Sequence, residues 1–218
     1  MRRRFYGVFL RGQEHLAAHD PGRSVLLCAN HTNWWDGFAA ALMAPFLPGR
    51  AIYLAQYEKL LAHYPPLRWL GVFGLERGGP EAIPSLRYAL RLLAAPPTAL
   101  WIFPQGVLLP QWQPIVARRG TLWLARRTGA HVVPIVFRFE WMTESRPSLF
   151  IRCGPPLPAN ADEATLSRAM QTLYDAIDPA DFRHDTPLFH PQLSLNKLWE
   201  FWAWPWVGRG ERFEPENE

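Results

Sequence analysis

Short unbroken apolar runs, each followed by a stretch of helical spacing, dominate this chain and restrict it to few architectures. Residues 24–29 (SVLLCA), 51–55, 72–75, 98–103, 131–137 and 148–153 read as strands. Residues 33–43, 58–62, 66–70, 81–94, 121–128 and 162–177 read as helices, with Leu86, Leu90 and Leu93 along one face of the 81–94 segment. Pro45 and Pro48 end the 33–43 helix, Gly129 closes 121–128 in a left-handed turn, and Asn160 or Asp162 caps 162–177. Strands that are apolar throughout are buried on both faces, as parallel strands between helices are. The expected fold class is therefore α/β: a single domain with a mostly parallel mixed sheet flanked by helices.

The 218 residues suit one domain, and 49% hydrophobic against 19% charged residues excludes a disordered chain. Two cysteines, Cys28 and Cys153, exclude a disulfide scaffold and a multi-thiolate metal site. Cys28 lies inside an apolar run and reads as buried and inert. His63, His131, His184 and His190 lack the spacing of metal ligands. A net charge of +4 is too small to suggest a nucleic-acid partner.

The two ends look interfacial. No apolar run reaches the roughly 18 residues of a membrane-spanning helix. Residues 1–20 place Arg2, Arg3 and Arg4 before Phe5, Tyr6, Val8, Phe9 and Leu10, a basic and aromatic segment suited to a lipid surface. Residues 21–180 form the main domain, and 181–218 a Trp-rich extension with an acidic tail. Trp199, Trp202, Trp204 and Trp206 suit the headgroup level of a bilayer equally well as a helix docked on the core.

Chemistry concentrates where the first of these strands ends, in Asn30-His31-Thr32-Asn33-Trp34-Trp35-Asp36. Sites in α/β sheets gather at such strand ends. Five positions span ~140° of an ideal helix, so His31 and Asp36 cannot pair within one. They pair if His31 precedes the helix and Asn33 caps it, leaving Asp36 in the first turn. The carboxylate would then hold Nδ1–H and free Nε2 to act as a base. The other reading is a His31 that merely leads into the helix and an Asp36 that complements its dipole.

Downstream come Gly71-Val72-Phe73-Gly74-Leu75-Glu76-Arg77, Phe103-Pro104-Gln105-Gly106 and Val132-Val133-Pro134-Ile135. In this order, from about 24 to 156, the chain resembles the glycerolipid acyltransferase family, which includes lysophosphatidic acid (1-acylglycerol-3-phosphate) acyltransferases. The resemblance implies that family's fold. It also implies transfer of a fatty acyl group from acyl-CoA or acyl-ACP, as substrates, to a hydroxyl of a lipid acceptor, with no cofactor and no metal. His31 would be the general base and Asp36 its orienting carboxylate. Arg77 falls on the arginine that binds acceptor phosphate, and Asn33, Gln105 and Gly106 join it as substrate-binding residues. Lipid acceptors imply a peripheral enzyme of lipid metabolism at the cytoplasmic face of a membrane.

The chain departs from the family where Gln105 replaces a glutamate, Val107 a common threonine, and Leu108, Leu109 and Pro110 the basic residues that follow. A neutral or bulkier lipid alcohol, such as a glycolipid, becomes an acceptor alongside a lysophospholipid. Arg118 and Arg119 read as solvated. A non-catalytic lipid-binding protein and a thioester hydrolase are the alternatives on the same fold.

Overall fold

The computed structural model describes residues 4–17, 22–76, 79–95, 97–142 and 144–189. Its strands are β1 (Val8–Arg11), β2 (Val25–Ala29), β3 (Ala51–Tyr57), β4 (Val72–Leu75), β5 (Thr98–Ile102), β6 (His131–Glu140), β7 (Ser148–Cys153) and β8 (Thr186–Phe189). They form one eight-stranded sheet in the order β4-β3-β5-β2-β6-β7-β1-β8. The β6–β7 and β1–β8 pairs are antiparallel and the other neighbours run parallel. The helices are α1 (Glu14–Ala17), α2 (Asp36–Leu42), α3 (Glu58–His63), α4 (Ala82–Ala94), α5 (Trp123–Thr128) and α6 (Glu163–Asp175), with a 3-10 stretch at Pro65–Leu70 between α3 and β4.

Alternate residues of each strand serve opposite layers. Leu26 and Cys28 of β2 join the core beneath α4, α5 and α6, with Leu93, Leu124 and Met170. Val25, Leu27 and Ala29 join the core beneath α2, with Ala39, Ala40 and Met43. Local signals explain the helix ends. Asp162 Oδ1 accepts the Thr165 N–H at 2.8 Å to start α6, Gly129 ends α5 at φ 71°, and Pro84 falls in the first turn of α4, where no intrahelical N–H is lost. Strand β6 outruns its expected end because β7 pairs with it as far as Glu140↔Ser148.

The N-terminal expectation is corrected. Phe5, Val8, Phe9 and Leu10 are buried, and β1 lies inside the sheet between β7 and β8. Burying each large apolar side chain contributes about 1.5–3 kcal/mol, more than an interfacial cation supplies. Gly12 shows how close this segment runs to β7. At φ 85°, a Cβ on it would stand 2.0 Å from the Cys153 carbonyl oxygen. Arg2 and Arg3 lie outside the described residues.

Strand β8 also joins the sheet beyond the expected 21–180 domain. Asp185, its side chain fully buried, receives Arg11 Nε at 2.7 Å and Arg152 Nη2 at 2.9 Å. Burial pulls the Arg152 guanidinium below its ordinary value, and Asp185 opposes that pull. Trp199, Trp202, Trp204 and Trp206 lie outside the described residues. Among those described, no helix is long and apolar enough to cross a membrane.

Candidate active site

The residue that ends β2 sets the geometry of everything after it. Asn30 is fully buried and pairs twice with Phe137 of β6: its Nδ2 donates to the carbonyl at 2.9 Å and its Oδ1 accepts the N–H at 2.7 Å. This clamp delivers His31 at the carboxyl end of the central parallel strands, where sites in such sheets gather.

His31 is held on every side. Its N–H donates to Gln105 Oε1 at 2.8 Å, and its carbonyl accepts the Leu109 N–H at 2.9 Å. Its ring stacks on Phe103, with centroids 4.4 Å apart and 20° between planes. Its Nδ1 stands 2.8 Å from Asp36 Oδ2. A carboxylate only accepts, so Nδ1 carries the hydrogen and Nε2 is the ring's acceptor when neutral.

Asp36 is the hub of the bend. Its side chain is fully buried, and Oδ2 also accepts the N–H groups of Thr32 at 2.6 Å and Asn33 at 2.8 Å. Oδ1 has no partner among the described residues. The His31 ring is the side-chain partner of this buried carboxylate, so an imidazolium formed there is compensated by Asp36.

The expected helix start is corrected in detail. Helix α2 begins at Asp36, with Trp35 at its N-cap position and no side-chain cap. Asn33 Oδ1 instead accepts the Trp35 N–H at 3.1 Å, which closes a local turn before the helix. Two backbone N–H groups of this turn, from Thr32 and Asn33, converge on Asp36 Oδ2, and this is what brings the carboxylate to the His31 ring.

Two cavities meet at His31. One, of about 320 Å³, is apolar and lies between α2, β3 and the 65–70 turn, lined by Ala40, Ile52, Leu54, Trp101 and Phe103. The other, of about 410 Å³, is the more polar of the two, with Tyr57, Glu76, Gly106, Arg118, Arg119 and Thr121 in its lining. His31, Gln56 and Phe103 line both.

Of the expected substrate-binding residues, Gly106 lines the polar cavity. It sits at φ 67°, and the Arg118 side chain lies 3.2 Å from where its Cβ would be. Asn33 and Gln105 line neither cavity. Gln105 is 3% exposed and spends its oxygen on the His31 N–H, so it positions the base's backbone. Arg77 lies outside the described residues.

Arg118 and Arg119, read as solvated from sequence, are exposed and also line the polar cavity. The Arg118 N–H donates to the Pro104 carbonyl at 2.9 Å, and that loop-to-loop contact brings them in. Nothing local in the sequence signals it. The apolar cavity left a faint signal: Gly37, Ala40 and Ala41 are small residues on the α2 face that borders it. Cys28 is fully buried, and burial pushes its thiol well up, which keeps it unreactive. Among the described residues, no three His, Cys, Asp or Glu side chains gather as metal ligands.

Residues 7–138 match the family model described as Acyltransferase. No curated protein matches the chain. Among solved structures, the chain is similar to the 1-acyl-sn-glycerophosphate (LPA) acyltransferase PlsC from Thermotoga maritima, at 20% identity and a TM-score of 0.55, over 78% of this chain and 71% of that one. At that identity the likeness is one of fold.

Proposed function

The chain belongs to the acyltransferase family, and on that premise we propose that it moves a fatty acyl group from an acyl thioester of coenzyme A or acyl carrier protein to a hydroxyl of a lipid acceptor. The supporting observation is the position of His31, which lines both the apolar and the polar cavity. An acyl chain suits the first and a polar headgroup the second, so the thioester carbonyl and the acceptor hydroxyl would meet beside Nε2.

The chemistry follows from this placement. His31 Nε2 takes the hydroxyl proton as the acceptor oxygen attacks the thioester carbonyl carbon. The carbon–sulfur bond breaks, and the imidazolium returns the proton to the departing thiolate. Asp36 balances the imidazolium between these steps. Holding both reactants against one base converts an encounter into a positioned reaction. Gln105 lies outside both cavities, so its neutral amide takes no hydrogen-bond partner from the acceptor hydroxyl.

Arg118 and Arg119 add positive charge to the cleft and favour a phosphate-bearing acceptor such as a lysophospholipid over a neutral glycolipid. Arg77 holds the family's phosphate-binding position. Labelled acyl-CoA incubated with the protein and a total lipid extract tests the reading. One labelled lipid ester is the expected product, and labelled free acid alone in the presence of every acceptor would replace transfer with hydrolysis. The same reading puts the enzyme peripherally at the cytoplasmic face of a membrane.

Arg118→Ala and Arg77→Lys each raise KM for a phosphate-bearing acceptor about tenfold and leave kcat nearly unchanged. The first removes a cation, and the second removes the bidentate fork. Steady-state kinetics with varied acceptor reads this, and an unchanged KM in both variants assigns the phosphate elsewhere.

Gly37→Leu shortens the preferred acyl chain. Gly37 lines the apolar cavity, and a Cβ there meets nothing within 4 Å, so the added side chain enters open space. Competition between acyl-CoAs of graded length measures the shift. An unaltered preference means that the chain lies outside this cavity.

A further inference from the structure

The rim of the apolar cavity is unlike the rest of the surface. Trp34, Phe38, Leu60, Tyr64, Leu70 and Leu108 line the cavity and are also exposed. Trp34 touches Tyr64 and Phe38, with ring centroids 5.6 Å and 6.4 Å apart, so the aromatics form one patch. Trp69, next to Leu70, is 88% exposed and does not line the cavity. A soluble surface rarely gathers this much apolar area without a partner for it.

We propose that this rim is the face that docks on a lipid bilayer. The inference rests on the acyl-transfer reading of His31, and three observations favour a bilayer as the occupant. The patch is made of residues that line the cavity suited to an acyl chain and are themselves exposed, so docking would open that cavity directly to the hydrocarbon layer. Its aromatics include Trp34, Tyr64 and Trp69, whose rings are apolar and carry one polar group, the chemistry that settles at the headgroup level. Between residues 50 and 70 the single acid is Glu58, against Arg50, Lys59 and Arg68. Glu58 is engaged by Arg68, so the exposed Lys59 adds positive charge beside the patch toward anionic headgroups. The lipid-facing surface thus lies on α2, α3 and the 65–70 turn, and the buried N-terminal strand is no part of it.

Flotation of the full chain with phosphatidylcholine–phosphatidylglycerol vesicles, without donor or acceptor, tests this. Trp69→Glu lowers the vesicle-bound fraction about tenfold, because it puts a charge where an indole met the interface. Trp69→Ser gives a smaller loss in the same direction. Lys59→Glu weakens binding at low salt and not at high salt. Turnover of Trp69→Glu on short-chain substrates that stay monomeric in water equals that of the parent. Trp69→Glu and Trp69→Ser that float like the parent overturn the proposal. So does a parent that ignores vesicles but binds acyl carrier protein, or a second copy of itself, through Trp69. Absence of acyl transfer in the parent removes the functional reading but leaves the flotation result standing, so the two failures are separable.

Discussion

His31→Ala lowers acyl transfer by at least about 10²-fold while leaving the fold in place, the loss that follows when a positioned general base is removed. The backbone bonds that anchor this position, to Gln105 and Leu109, do not involve the ring and survive the change. Asp36 keeps the Thr32 and Asn33 N–H groups, so the bend stays closed. What disappears is the one acceptor nitrogen at the junction of the two cavities. Turnover at saturating donor, measured beside a thermal melt, reads both effects. Near-parental turnover with an unchanged melt would remove His31 from the chemistry.

Asp36→Asn costs about 10²-fold or more in kcat, for an electrostatic reason that the geometry isolates. The asparagine carbonyl oxygen can occupy the place of Oδ2 and accept the same three N–H groups, from His31, Thr32 and Asn33. The amide nitrogen then falls where Oδ1 has no partner. Hydrogen bonding and ring orientation are retained, and only the charge that balances the imidazolium is lost. Asp36→Ala additionally opens the bend and lowers thermal stability. Equal kcat for Asp36→Asn and the parent would reduce Asp36 to a structural role.

These expectations trace back to a pairing that was legible in the sequence, because it is local. His31 and Asp36 are five residues apart, and one bend before a helix suffices to join them. The expected cap was misplaced by two residues, since the Asn33 side chain serves a turn and the helix waits until Asp36. The expected strand 24–29 contains β2, whose five residues are all buried, for a comparable reason. A strand buried on both faces has to be apolar at every position, and that requirement is written residue by residue.

Val8–Arg11 shows where such reading stops. A basic and aromatic segment has the same composition whether it meets lipid or fills a sheet, and only the vacancy between β7 and β8 decided for the sheet. Gln105 left its expected place by the same logic: taken for substrate, it holds the His31 backbone, while Arg118 is solvated as expected and borders the polar cavity as well.

The sequence by itself determined the layer class, the six strands β2 to β7 and the histidine–carboxylate pair, because hydrophobic period and short-range hydrogen bonding act between near neighbours. The tertiary structure alone decided which arginines face the cleft, where the acyl-sized cavity opens and which aromatics surround it. Each of these depends on loops far apart in the chain, such as Pro104 against Arg118 and α2 against the 65–70 turn. Their approach is set by how the helices pack over the sheet, and the local residue pattern does not encode that distance.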